Sequence, residues 1–307
     1  MRPVAVALAV LCAGACVGAL SSAGGASTSA ADWERAASLS QRRSYAAAAA
    51  IGGRIYVAGG MVGETGRPLA TASRYDPRRD VWTTLAPLPT PTRSAAGTAF
   101  DGRFVVAGGT TAAGNVATVV ELDPRGGGWR RLASLPAPRF NHRLVALGGR
   151  LYALGGYNAG RERRDVFVYE PAENRWGRGT PLPRPVHAFG AVAFHGELWV
   201  VGGRRGESAV REVWILDPGT GRWRRGPTLP KPMELLGLAA DGDRLHAVEE
   251  STYQVYDAST GRWRSGPSPR VPRHALEAFA VAGSLYAVGG CTTALQDSPV
   301  VERLAVR

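Results

Sequence analysis

Ten side chains in this chain of 307 residues have types and spacings suited to binding a ligand or moving a proton. Their register is set by six similar apolar runs. Five of these end in a Gly pair, at 59–60, 108–109, 155–156, 202–203 and 289–290, and the fifth run along the chain ends in Glu249-Glu250 instead. Sixteen residues before the first member of a pair stand Arg43, Arg139 and Arg273, and fifteen before it stand Arg93, His187, Glu234 and His274. An ionisable group therefore recurs at one height in every repeat. One chemistry this supports is a polar funnel for an anionic or hydroxyl-rich ligand, with guanidinium groups as planar donors and His187 or Glu234 as proton movers. The other is structural, since a group recurring in every repeat also suits hydrogen bonds to the backbone carbonyls of neighbouring blades. Recurrence favours the structural role for the arginines. His187 and Glu234 break the Arg pattern and are the better functional candidates.

Glu249 and Glu250 would supply acid/base or cation-binding oxygens, or else mark a solvated repeat with a shortened loop, the reading favoured here. Cys291 follows a Gly pair directly and is either a reactive thiol or a small buried residue. No Gly-x-Ser-x-Gly, phosphate-loop or His-Glu-x-x-His motif occurs. Neither a metal nor a cofactor is expected.

The elements that must position these residues are strands. Runs such as Arg54-Ile-Tyr-Val-Ala-Gly-Gly60 and Arg150-Leu-Tyr-Ala-Leu-Gly-Gly156 are copies of one strand. Each is preceded by another apolar run closed by a Gly-Gly, Asp-Gly, His-Gly or Ala-Gly pair, and such pairs make hairpin turns because they accept positive φ. Downstream come segments such as Arg74-Tyr-Asp-Pro77 and Ile215-Leu-Asp-Pro218, then Trp82, Trp129, Trp176, Trp223 and Trp263, spaced 47, 47, 47 and 40 residues apart. Four strands in a unit of about 45 residues make a propeller blade. The fold class is all-β: a six-bladed β-propeller of four-stranded antiparallel blades a-b-c-d. The last unit lacks its Trp strand, while Trp33 to Leu39 repeats the Trp-x5-Leu of Trp82 to Leu88. The N-terminal strand is therefore expected to close the ring. In such blades the d–a and b–c connections share one face. That face collects the longer, variable segments, where binding residues gather on a rigid scaffold.

The Gly-Gly after an apolar strand, the Tyr-Asp-Pro and the regularly spaced Trp resemble the kelch repeat, also found in the central domain of galactose oxidase-like proteins. The resemblance covers residues 32–307, and Arg139-Phe-Asn-His142 matches the Arg-x-x-His of many kelch units, which adds His142 to the ligand-binding candidates. Copper oxidase chemistry is not expected, since only one Cys lies beyond residue 31 and the paired Tyr and His ligands have no counterparts. Kelch resemblance implies a binding module for a protein or glycan, acting through the loop-bearing face as a monomer. The alternative is a carbohydrate-acting enzyme resembling the sialic acid epimerases or mutarotases, with Glu234 and His187 as catalytic candidates.

Residues 1–31 read as an export signal, with an apolar run from Val4 to Leu20 and small residues before Asp32. Ala13-Gly14-Ala15-Cys16 also resembles a bacterial lipoprotein box, in which case Cys16 carries lipid and residues 20–31 form a tether. An extracellular or envelope-associated location is expected either way. The remaining 276 residues make one domain, six times 46, with no remainder for a second. Net charge is +12, and 36 of the 37 basic residues are Arg, spread over turns and outer strands. Nucleic acid is not an expected partner of an exported protein, whereas an anionic envelope polymer is compatible with that charge.

Overall fold

The structure is a computed structural model that describes residues 32–292 and 296–306. The export or lipoprotein reading of residues 1–31, including Cys16, lies outside those residues. The described chain folds as the expected six-bladed propeller. Blade 1 is built from Ala47–Ile51, Arg54–Ala58, Ala72–Asp76 and Val81–Leu85, paired in that order and antiparallel throughout. Blades 2 to 5 repeat the order. Blade 6 takes three strands from the C-terminal end, Glu277–Val281, Ser284–Val288 and Val301–Ala305, and its outer strand from the N-terminal end, Glu34–Ala36. Glu34, Arg35 and Ala36 pair with Arg303, Glu302 and Val301. Trp33 is fully buried beside this seam.

Strand a of each blade lies against strand a of the next all the way round, so the a strands line the axis and the d strands form the circumference. Six apolar clusters hold the ring together. The cluster that joins the chain ends packs Ile55 and Tyr75 of blade 1 against Tyr286, Val288 and Val301 of blade 6.

Three closed circles of hydrogen bonds explain why the repeat has its particular residues. In the outermost, the indole Nε1 of each strand-d Trp donates to a carbonyl just after the preceding blade's strand d, at 2.8–3.2 Å; Trp82 reaches Ala37 and Trp33 reaches Pro267. In the middle circle, the second residue of each Gly pair donates its N–H to a carbonyl at the entrance of the next blade, from Gly60 to Thr92 round to Gly290 to Arg43. A Cβ on the first glycine would meet that same carbonyl at 2.4–3.0 Å, which favours glycine in five blades; in blade 5 the Glu250 N–H donates to the Arg273 carbonyl at 2.7 Å and completes the circle.

The innermost circle has no residue-type signature. Tyr45, Ser94, Asn141, Ala188, Leu235 and Ala275 each sit fourteen residues before the pair. Each donates its N–H to the carbonyl of its counterpart in the preceding blade, at 2.6–3.2 Å, and Tyr45 to Ala275 closes the loop. All six adopt φ between 48° and 56°. That conformation costs roughly a kcal/mol or more per residue and persists only where the surroundings over-determine it, which a closed circle of hydrogen bonds does.

Candidate functional site

The b–c connections of blades 1 to 4 carry extra two-stranded hairpins, such as Met61–Val62 with Arg67–Pro68 and Tyr157–Asn158 with Arg161–Glu162. They crown the face where the d–a entrances also lie. Blade 5 has none. Its strands Arg244–Glu249 and Thr252–Asp257 turn over at Glu250-Ser251 alone, which leaves a notch in the crown.

The three arginines of the first register row are withdrawn from this face. Arg43, Arg139 and Arg273 are at most 2% exposed, and all make the same bond. Their Nη1 donates to the first glycine's carbonyl in their own blade (Gly59, Gly155, Gly289) and to the carbonyl ahead of strand c (Thr71, Asp165, Val300). Arg273 also pairs with the fully buried Glu302 at 2.8 Å. Burial pulls Arg43 and Arg139 down to about 10, still cationic at neutral pH. These groups brace the root of the b–c loop, the kind of structural role favoured for them from their recurrence, but on carbonyls of their own blades and not of a neighbouring one. His142 is also buried, its ring wedged against Gly108. Desolvation, with Arg139 and Arg143 nearby, pushes its pKa well down, so it is a neutral spacer between blades.

The second row points the other way. Arg93, His187, Glu234 and His274 are half-buried around the mouth. In five blades the residue of this row forms a backbone bridge with the residue after the Gly pair, as His187 does with Arg204 and His274 with Cys291. Blade 5 has no such bridge, and there the Glu249 carboxylate accepts the Glu234 N–H at 2.9 Å. A side chain thus replaces the carbonyl that the shortened loop no longer supplies. Burial, with Glu250 and Glu234 adding to it, raises Glu249 to about 8. Glu250 is exposed and takes the positive φ of the turn. The loop is shortened, as favoured, but of the pair only Glu250 is solvated, while Glu249 is turned inward onto the Glu234 N–H.

Two groupings form at the mouth. In one, Glu234 accepts from Arg204 Nη1 at 2.7 Å, and His187 Nδ1 lies 3.6 Å from Glu162. Half-buried Phe140, Tyr157 and His187 form an aromatic run with ring centroids 5.6 and 5.2 Å apart. Burial lowers His187, with Glu162 opposing. In the other, His274 Nε2 is 3.0 Å from Cys291 Sγ, and His274 Nδ1 is 3.8 Å from Glu250. Burial, with Asp297 adding to it, pushes the thiol up to about 11, so Cys291 is the small buried residue of the two readings. The Arg93 guanidinium lies 3.5 Å from the Met61 thioether.

One charged pair escaped the sequence reading. Strand a begins with Ala47, Ala96, Gly190 and Gly237 in four blades, but with Arg143 in blade 3 and Glu277 in blade 6, on opposite sides of the axis. They meet across the channel at 2.6 Å, and Arg143 also donates to Phe189 and Leu236 carbonyls. Beyond this bar lies a cavity of about 270 Å³ walled largely by alanines such as Ala48, Ala99 and Ala193. Burial raises Glu277 despite Arg143. The only signal in the sequence is two charges at a position that otherwise holds Ala or Gly.

Residues 45–248 match the model of the KLHDC2/KLHL20/DRC7 Kelch-repeats domain, from the first strand of blade 1 to the second strand of blade 5. No curated protein matches the chain.

Proposed function

The chain belongs to the kelch-repeat family, and we propose that it is an exported binding module whose loop-bearing face recognises a protein segment. The observation that carries this reading is the contrast between the two faces. On the turn face the same ion pair recurs from blade to blade, Arg54 with Asp76, Arg103 with Asp123 and Arg150 with Glu170. The mouth row instead presents Arg93, Phe140, His187, Glu234 and His274, a different chemistry in almost every blade, on a scaffold fixed by three circles of hydrogen bonds. A varied surface on a repeating frame is what selective recognition needs. The aromatic run Phe140–Tyr157–His187 beside Glu162 and Arg204 supports a glycan as the second reading, since sugar faces stack on aromatic rings while carboxylates and guanidinium groups take the hydroxyls. Export rests on the composition of residues 1–31.

The test compares captures from culture fluid and cell envelope by the intact chain and by an Arg93→Ala/Glu234→Gln variant, with a glycan array probed in parallel. A partner retained by the wild type and lost by the variant is the expected result. Equal capture by both would remove the mouth from the reading, and variant-sensitive signal on the array alone would favour a glycan. N-terminal mass analysis of the secreted chain should show a start at Asp32. A diacylglyceryl group on Cys16 would establish the anchored form, and retention in the cytoplasm would overturn export.

A further inference from the structure

Exposed arginines occur all over the folded protein, but they are densest, and free of acidic neighbours in the same strand, on four outer strands. On the turn face Arg54, Arg103 and Arg150 are matched by carboxylates, and on the loop-bearing face Arg204 and Arg205 pair with Glu234 and Glu212, while Arg78, Arg79, Arg125, Arg67 and Arg161 stand exposed without an ion pair among the described residues. The outer strands differ. In blades 2 to 5 strand d reads Trp-Arg-Arg-Leu over Trp129–Leu132, Arg-Trp-Gly-Arg over Arg175–Arg178, Arg-Trp-Arg-Arg over Arg222–Arg225 and Arg-Trp-Arg-Ser over Arg262–Ser265. These strands hold nine arginines and no acidic residue, and every one of the nine is exposed. Arg130, Arg175 and Arg224 have a carboxylate partner, and Arg225 lies over the Trp214 ring. The other five have no carboxylate within ion-pair distance among the described residues.

Charged side chains commonly guard a free sheet edge against pairing with another chain, and all six outer strands have such an edge. Two of them differ. Blade 1 ends in Val81–Leu85, Val-Trp-Thr-Thr-Leu, with no arginine and with Val81 41% exposed, and blade 6 ends in Glu34–Ala36, where a single exposed Arg35 follows Glu34, itself paired with Arg303. Edge protection therefore does not account for a band confined to four contiguous blades.

We propose that this arc of the circumference binds a flexible linear polyanion that wraps the rim. Guanidinium groups match phosphate and carboxylate oxygens with two parallel donors. Residues two apart on one strand, such as Arg222 and Arg224 or Arg262 and Arg264, lie on the same face about 6.6 Å apart, a spacing that successive charges of an extended polymer can follow. The arc is convex, and that selects the partner. A flat anionic membrane meets a disc edge at one blade, and a stiff duplex with a persistence length of about 50 nm cannot bend round a single domain. Only a flexible chain reaches all four outer strands together. This surface is separate from the mouth and does not depend on the mouth's role.

Long-chain inorganic polyphosphate serves as the probe, titrated into the intact chain over a salt series. Binding should weaken steeply with salt. Changing Arg222, Arg224, Arg262 and Arg264 to Ser should reduce the magnitude of the log–log salt slope by about 3, from roughly 0.7 per neutralised charge on a single strand, and lower affinity at least about tenfold. If that variant does not fold, the Arg222/Arg224 and Arg262/Arg264 pairs changed separately should each give about half the slope change. A loop-face variant, Arg67→Ser/Arg161→Ser, should bind as the wild type does. The proposal is overturned by an unchanged slope in the rim variants, by equal loss in the loop-face variant, by tripolyphosphate binding as tightly as the long chain, or by phosphatidylglycerol vesicles outcompeting the polymer.

Discussion

Two neighbouring rows of residues, sixteen and fifteen positions before the Gly pair, look alike in sequence and do opposite work. Both are rich in ionisable groups. Successive side chains of an extended segment point to opposite sides, so one row enters the blade and the other lines the mouth. The inner row spends Arg43, Arg139 and Arg273 on backbone carbonyls of their own blades, while the mouth row leaves Arg93, His187, Glu234 and His274 half-exposed. Within this repeat, sameness marks a part that every blade needs and difference marks a part free to meet something else.

The contrast presupposes a closed ring, so the largest effect should come from opening it. Deleting Asp32 to Leu39 removes strand d of blade 6, buried Trp33 and Leu39, and the Trp33 indole bond to Pro267. The melting temperature should fall by roughly 10 to 20 °C, from the loss of several kcal/mol of burial. A deletion variant that melts with the wild type in a calorimeter would mean the two rows are not held by closure.

Arg273→Ala comes next. It strands Glu302, which is fully buried, and unties Gly289 and Val300. Removing one partner of a buried pair costs roughly 3 to 5 kcal/mol, readable as a lower urea midpoint. Arg139→Ala should cost less, because it leaves no buried carboxylate without its cation; Asp165 is partly exposed, 3.8 Å away. A mouth-row substitution as costly as Arg273→Ala would erase the distinction.

Glu249 tests the boundary between the rows, since it sits at a glycine position yet serves Glu234. Burial holds its folded pKa at about 8, above the 4.5 of an ordinary glutamate. The folded state therefore keeps a proton that the unfolded chain releases. The stability this gives is complete below about 4.5 and is lost as pH rises through about 8. Glu249→Gln keeps an acceptor for the Glu234 N–H without the charge. It should match the wild type near pH 4 and exceed it at pH 9 by on the order of 1 kcal/mol, the half-buried site tempering the shift. Thermal melts across that range check it, and a constant offset would show that the carboxyl does not titrate as described. Glu249→Ala, by contrast, should lose roughly 1 to 3 kcal/mol at both ends by orphaning a backbone N–H.

The architecture was legible because its signals are steric. In five of the six blades glycine gives the next blade's carbonyl room to approach, and each Trp reaches a carbonyl one blade away, so both residue types recur in the sequence. Ring closure was visible for the same reason, in the displaced Trp33. The innermost circle was not, because Tyr45, Ser94, Asn141, Ala188, Leu235 and Ala275 share a backbone conformation and no side-chain chemistry. For the inner-row arginines recurrence pointed to a structural role but not to its partners, since spacing gives height along the axis and not direction; the carbonyls they reach belong to their own blades. Arg143 and Glu277 become partners only when blades 3 and 6 face each other across the channel, a relation that no local spacing records. The arginines of the outer strands looked dispersed along the chain, and the fold gathers them on one arc.

The smallest expected change in stability belongs to the mouth row and carries the most functional weight. Arg93→Ala removes a guanidinium that rests against the Met61 thioether. Glu234→Gln keeps an acceptor for Arg204 and leaves the backbone bond to Glu249 in place. Each should alter stability by no more than about 0.5 kcal/mol, as exposed substitutions away from buried networks do. The double variant should still lose partner capture, because half-buried charges at the centre of a contact are costly to leave unmatched once the partner desolvates them. Measured together, an unchanged melting temperature and a lost partner assign the row to recognition. A destabilised double variant would place Glu234 and Arg93 with the inner row, as parts of the frame.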